Sequence, residues 1–179
     1  MMSIKFIRML KTKNQKTFGP VILGIDPGYG LVGIGVIQKQ DRNWKSLYHG
    51  CIKTDAKACF SARLLQISED LGNIIRQYQP EAAVVEKLYF NRNTTTAIDV
   101  AQARGVIMLT LLQNGVQVCE LTPLQVKQFV SGYGRADKAQ MKQMMKLLLG
   151  LDKLPSPDDA ADALALAYCW ESHSKFLKL

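Results

Sequence analysis

The chain is poor in the residues that build zinc sites and nucleophilic triads. Among 179 residues it has two histidines, His49 and His173, and four cysteines, Cys51, Cys59, Cys119 and Cys169. No two cysteines have C-x-x-C spacing and the histidines complete no ligand set with them, which argues against zinc. Scattered cysteines without a secretory signal fit a reducing compartment. They read as small core or surface residues. No apolar run approaches the roughly 18 residues of a membrane span, so no membrane role is expected. Internal repeats and low-complexity stretches are absent as well.

Acids are missing from the first twenty residues, where Lys5, Arg8, Lys11, Lys13 and Lys16 are found. The whole chain carries a formal charge of +8 with a pI near 9.4. Removing those five cations leaves about +3, so the remainder is only mildly basic. A basic balance points to a polyanionic partner without proving one. Residues 1–20 are expected to form a flexible basic extension. Three roles stay open for it: an organellar targeting peptide, which its single Ser3 disfavours, an arm that touches DNA, or an inert tail. Residues 21–175 are expected to form one domain, long enough to bury a core without disulfides.

Three strands come first. Val21–Asp26 is short, apolar and β-branched, and Pro27-Gly28-Tyr29-Gly30 turns the chain. Leu31–Gln38 and Trp44–Ile52 follow across short turns, which implies an antiparallel meander. The period then changes. Leu64, Ile67, Leu71, Ile74 and Tyr78 mark a helical stripe, ended by Pro80. Ala82-Ala83-Val84-Val85 reads as a strand buried on both faces. Thr95–Gln113 predicts a helix and Val116–Leu121 a fifth strand. Pro123–Val130, Lys138–Leu149 and Pro157–Trp170 read as helices. The last two strands each follow a helical crossover and should run parallel to the first. The expected architecture is α/β, a mixed five-stranded sheet flanked by helices.

Carboxylates occupy costly places. Asp26 and Glu86 end apolar strands, where an ionised acid needs a balancing charge. Asp159 and Asp162 are three apart on the final helix and share a face, as do Asp158 and Asp162. If that helix starts near the ends of the first and fourth strands, three or four carboxylates converge. Such a cluster repels itself unless cations lie between, and oxygen-only ligands suit Mg2+ or Mn2+. Two ions roughly 3.5–4 Å apart can cleave a phosphodiester by activating water and stabilising the departing oxygen. No histidine base is then required. Each acid also has a plain structural explanation. Asp26 can form a turn, Glu86 can end a solvated strand, and Ser156-x-x-Asp159 resembles a capping box with Pro157 first in the helix. Asp158 and Asp159 also suit a helix N-terminus.

Specific stretches narrow the choice. Ile22-Leu23-Gly24-Ile25-Asp26-Pro27-Gly28 resembles the opening strand of the RuvC family within the RNase H-like superfamily. Val85-Glu86-Lys87-Leu88-Tyr89-Phe90 resembles its second acid strand. Ala101-Gln102-Ala103-Arg104-Gly105-Val106 is similar to the next helix. Pro123-Leu124-Gln125-Val126-Lys127-Gln128, Gly132-Tyr133-Gly134 and Ala136-Asp137-Lys138-Ala139-Gln140-Met141 resemble its basic segment. Asp159-Ala160-Ala161-Asp162-Ala163-Leu164-Ala165 matches its terminal acid motif. The likeness runs in order from about Val21 to Trp170.

The resemblance implies an RNase H-like fold and a homodimer that nicks four-way DNA junctions symmetrically, leaving 5′-phosphate and 3′-hydroxyl ends. It implies Asp26, Glu86, Asp159 and Asp162 as ligands of two Mg2+ ions, which Mn2+ can replace. It places Lys127 and Lys138 near the scissile phosphate, where a lysine favours the transition state. Tyr89 aligns with an aromatic that stacks on opened bases, an interaction worth roughly 1–3 kcal/mol per base. Phe90 either shares that role or is partly buried. Arg92, Asn93, Arg104 and Arg135 are further candidates for phosphate contact. Gly132 and Gly134 would let backbone N–H groups approach a phosphate. Asp158 is an extra acid, read first as helix-start chemistry. A branch-migration complex is an implied partner, and a cytoplasmic, nucleoid-associated location is expected.

Other functions compete. An RNase H-like nuclease for RNA–DNA hybrids, or a transposase-like cutter, would carry the same acids. A junction-binding protein with a decayed site would not need all four. An actin-like ATPase would need a second phosphate loop and a longer chain. The helix near Thr95–Leu112 has an apolar surface that serves either a dimer interface or packing on the sheet.

Overall fold

The computed structural model describes residues 18–88, 94–132 and 134–172. Five strands form one sheet: β1 (Phe18–Asp26), β2 (Leu31–Gln40), β3 (Asn43–Lys53), β4 (Ala82–Glu86) and β5 (Gln117–Leu121). Their order is β3-β2-β1-β4-β5. β1, β2 and β3 pair antiparallel, and β4 and β5 add in parallel to β1. This is the mixed sheet the sequence predicts. β1 begins three residues before the expected Val21, because Phe18 already pairs with Gln40.

Among the described residues, five helices cover the sheet: α1 (Phe60–Tyr78), α2 (Thr94–Gln113), α3 (Pro123–Ser131), α4 (Lys138–Leu149) and α5 (Asp158–Tyr168). Strand alternation divides the core in two. Leu23, Ile25, Ile34, Ala83 and Val85 face α1 and α2. Ile22, Ile37, Ala82, Val84 and Leu121 face α3, α4 and α5. Each fully buried leucine or isoleucine contributes about 1.5–3 kcal/mol relative to exposure.

Local signals set the helix ends. Thr122 and Gln125 form a capping box with Pro123 behind it, and Gly132 ends α3 at φ 77°. Asp137 and Gln140 form a second box at α4. Gln79 stops α1 in the left-handed region, just before Pro80. The box expected at Ser156 and Asp159 does not form. Pro157 is the N-cap residue of α5 and no side chain on that helix caps it.

α5 packs closely on the sheet. It is alanine-rich, with Ala160, Ala163 and Ala167 fully buried. Beneath it, Gly24 of β1 leaves room for backbone: a Cβ there would collide with the Ala163 carbonyl and the Ala167 nitrogen. Small residues on both sides let helix and sheet approach closely, and that approach carries the first turn of α5 to the end of β1.

Candidate active site

One row of the sheet holds the site. Asp26 is level with Gly33 of β2, and Gly33 is level with Cys51 of β3. Glu86 follows Val85, the partner of Ile25, and so stands beside Asp26 on the next parallel strand. Register therefore sets Cys51, Gly33, Asp26 and Glu86 in order across four strands, on the face that α5 covers. Gly33 has no side chain to fill its place. The Asp159 backbone occupies it, with the Asp159 Cβ 3.1 Å from where a Cβ on Gly33 would stand.

The acids feel one another. Burial pushes the Asp26 carboxyl from its ordinary 3.8 up to about 8; Glu86, Asp162 and Asp159 push the same way, and Lys138 opposes them. Burial, then the charge of Asp162, raises Glu86, again against Lys138. Burial raises Asp162, which Lys138 partly offsets. Asp26 thus sits at the centre of the negative charge, and the structure brings together all four predicted acids. Among the described residues, no three such groups already stand at the spacing of a closed metal cage. Like charges hold carboxylates apart, and a cation between them removes that repulsion.

The two predicted lysines face the acids. Glu86, Asp162, Lys127 and Lys138 line one cavity of about 210 Å3, with Pro123, Val126, Met141 and Leu166 as its apolar wall. Lys127 is half-buried on α3, whereas the Lys138 side chain at the start of α4 is 74% exposed. Asp158 is engaged by lysines at the start of α4. It pairs with Lys142, lies 3.8 Å from Lys138, and is held below the usual carboxylate range by Lys142. Its charge still helps to raise Asp162, one turn further along the helix.

The remaining candidates divide. Arg135 is exposed just before α4. Arg104 is paired with Glu120 beside Lys87, Leu88 and Ala101, so its charge already has a protein partner. Tyr89, Phe90, Arg92 and Asn93 lie outside the described residues, as do Tyr133 and the leader up to residue 17. A larger cavity, about 510 Å3, lies at the other end of β2 among Lys39, Arg42, Trp44, Tyr168 and Glu171. Glu171 is already bonded there to Lys39 and the Trp44 indole, so that cavity offers no acid cluster. Cys51, which the sequence reads as an ordinary small residue, stands in this row two strands from Asp26. Only the register of β2 with β3 reveals it.

Comparison with known proteins shows the family. The family model described as Crossover junction endodeoxyribonuclease RuvC matches residues 22–170. A RuvC of Petrotoga mobilis is 52% identical over 149 residues, covering 83% of this chain and 91% of that one. A RuvC of Desulfitobacterium hafniense is 51% identical over 154 residues, 86% of this chain and 93% of the relative. Among solved structures, Thermus thermophilus RuvC in complex with Holliday junction substrate superposes with a TM-score of 0.83 at 31% identity, covering 88% of this chain and 96% of that one. The yeast mitochondrial Holliday junction resolvase, at 14% identity and a TM-score of 0.65, shares the fold. With the acid row, the facing lysines and matches spanning nearly the whole domain, the chain belongs to the RuvC family of crossover junction endodeoxyribonucleases.

Proposed function

We propose that the protein resolves four-way (Holliday) DNA junctions by symmetric paired nicks during recombination and repair. The single observation that carries the chemistry is the acid row. Asp26, Glu86, Asp159 and Asp162 act on one another at the C-terminal ends of β1 and β4, against Lys127 and Lys138. The junction as substrate is supported by the Thermus thermophilus relative, which is described with that DNA.

The donor set fits hard divalent cations, since it is all oxygen and its mutual repulsion is relieved by positive charge. Asp26, Glu86, Asp159 and Asp162 would hold two Mg2+ ions, or Mn2+ in their place, which when bound supply an activated water and neutralise the departing oxygen. The chain does the rest. Lys127 and Lys138 hold the scissile phosphate and offset its growing charge. The apolar wall of Val126, Met141 and Leu166 limits water, which strengthens these interactions. Tyr89, with Phe90, stacks on opened bases, while Arg92, Asn93, Arg104 and Arg135 contact phosphates. Arg104 does so only by exchanging Glu120 for DNA. Lys127→Ala should lower the cleavage rate about 10²-fold at saturating DNA, measured by single-turnover kinetics.

Two symmetric cuts need two equivalent sites, hence a homodimer. On α2, Ala103, Ile107 and Leu111 are buried against the sheet, while Ile98, Leu109 and Leu112 remain 65%, 55% and 63% exposed. That exposed stripe is the surface for the second copy. Leu112→Asp should give a monomer by sedimentation, and single nicks in place of paired ones. A branch-migration complex would deliver junctions to the enzyme at the nucleoid, in the cytoplasm. No helix among the described residues is long and apolar enough to cross a membrane.

The test uses a labelled synthetic junction, its linear duplex arms and an RNA–DNA hybrid, each with Mg2+ or chelator. Paired symmetric nicks on the junction alone, lost with chelator, are expected. Equal cutting of duplex or hybrid would keep the metal chemistry and reject the junction. Tight junction binding without nicks would indicate a binding protein.

A further inference from the structure

We infer that Asp158 is a positioning residue for the cleavage step: anchored by Lys142, it holds Lys138 at the mouth of the acid cavity. The inference rests on the reading of Lys138 as a lysine that contacts the scissile phosphate. The sequence leaves Asp158 as an extra acid with no task beyond starting a helix. In the structure its two carboxylate oxygens have separate partners on α4. Oδ1 accepts a hydrogen bond from the Lys142 ammonium. Oδ2 lies 3.8 Å from the Lys138 ammonium, close enough for an ion pair and too far for a hydrogen bond.

The geometry divides the work between the two lysines. Lys138 is the first residue of α4 and Lys142 stands one turn further on, so they share a face. Asp158 is the first residue of α5, and the two helix starts meet through it. A cation at a helix N-terminus opposes the helix dipole, and the first turn of α4 has no acid of its own. Asp158 supplies that charge from the neighbouring helix. Met141 and Met145 are buried and fix the body of α4. The Lys142 side chain is 24% exposed, against 50% for Asp158 and 74% for Lys138. Lys142 is therefore the fixed anchor and Lys138 the mobile group. Left free, its long stem would sample many rotamers. Glu86 and Asp162, which line the same cavity, draw it inward, and Asp158 draws it outward. Held between them, the ammonium stays at the cavity mouth, where a phosphate would arrive. The loose contact to Oδ2 can be exchanged for a phosphate oxygen, while the hydrogen bond to Lys142 keeps Asp158 in place.

The test measures single-turnover cleavage of a synthetic junction at saturating protein with Mg2+, and junction affinity by gel shift in chelator. Asp158→Asn keeps the shape and removes the charge, whereas Asp158→Glu keeps the charge. Asp158→Asn is also combined with Lys138→Ala. Exposed ion pairs add little to stability, so these variants should fold as wild type does. Asp158→Asn should cut about ten-fold more slowly than wild type, with its junction dissociation constant within about two-fold. Asp158→Glu should recover most of the rate. In the Lys138→Ala background, itself slow, Asp158→Asn should cost nothing further, since a group that acts through Lys138 has nothing left to hold. An equal cost in both backgrounds would overturn the inference, because Asp158 would then act on the acid row directly. A wild-type rate in Asp158→Asn would overturn it too. Full activity in Lys138→Ala would reject the reading of Lys138 itself, and the inference with it.

Discussion

Asp26→Asn should lower junction cleavage on the order of 10³-fold, which is about 4 kcal/mol in the barrier, while junction binding stays near wild type. The same substitution should make the metal-free protein more stable. Asp26 is the most strongly affected acid in the cluster, raised to about 8 by burial first and by Glu86, Asp162 and Asp159 next. Asparagine keeps the size and removes the charge that burial and repulsion penalise. A gain of about 2 kcal/mol would raise the melting temperature by roughly 4–8 °C in a domain of this size. Loss of activity with gain of stability separates a functional carboxylate from a structural one. A turn-forming aspartate would show the reverse: lower stability and little change in cleavage.

The pH behaviour follows from the same groups. Raised folded-state pKa values mean that the metal-free folded protein holds protons which the unfolded chain releases near pH 4. Its stability should therefore fall as pH rises from about 4 to about 8. Glu86 and Asp162 act in the same direction. Divalent cations compete with those protons, so Mn2+ affinity should rise across the same window and added Mn2+ should offset the loss. Melting curves at pH 5 and pH 8, with Mn2+ and with chelator, check both signs. Asp158 is depressed and works the other way: its contribution is complete above the ordinary aspartate pKa and is lost as pH falls through the lowered value.

Gly33→Ala is the second large effect. A single methyl there meets the carbonyl of Asp159, which is backbone and cannot swing aside. The first turn of α5 must lift, and the Asp159 and Asp162 carboxylates lift with it. A misplacement near 1 Å can cost about 10²-fold in rate. Overpacking of this kind costs about 1–3 kcal/mol in stability. Cleavage should fall at least 10²-fold with junction binding retained, measured by single-turnover assay and gel shift. Leu124→Ala, at an exposed site on α3, should change neither. Wild-type cleavage in Gly33→Ala would show that the helix start does not fix the metal ligands.

Much of this arrangement is legible in the amino-acid sequence. Apolar periodicity separates strands from helices, and the two crossovers force β4 and β5 parallel to β1. That topology alone places Asp26 beside Glu86. Other features resist. The capping pattern at Ser156 and Asp159 misleads, because a capping box needs an N-cap side chain and Pro157 takes that position. The place of Cys51 in the row of Asp26 depends on its pairing with Gly33 of β2, and one-residue register is not written in local pattern. Arg104 looks free for phosphate because Glu120 is sixteen residues away in sequence, brought near only by α2 and β5.

Whether the acid row is a metal site is tested most directly by crystals soaked in Mn2+ and measured near the manganese edge. Two anomalous peaks are expected, roughly 3.5–4 Å apart, within ligand distance of Asp26, Glu86, Asp159 and Asp162. Peaks elsewhere, or none at this edge under soaking that loads other sites, would contradict the metal site.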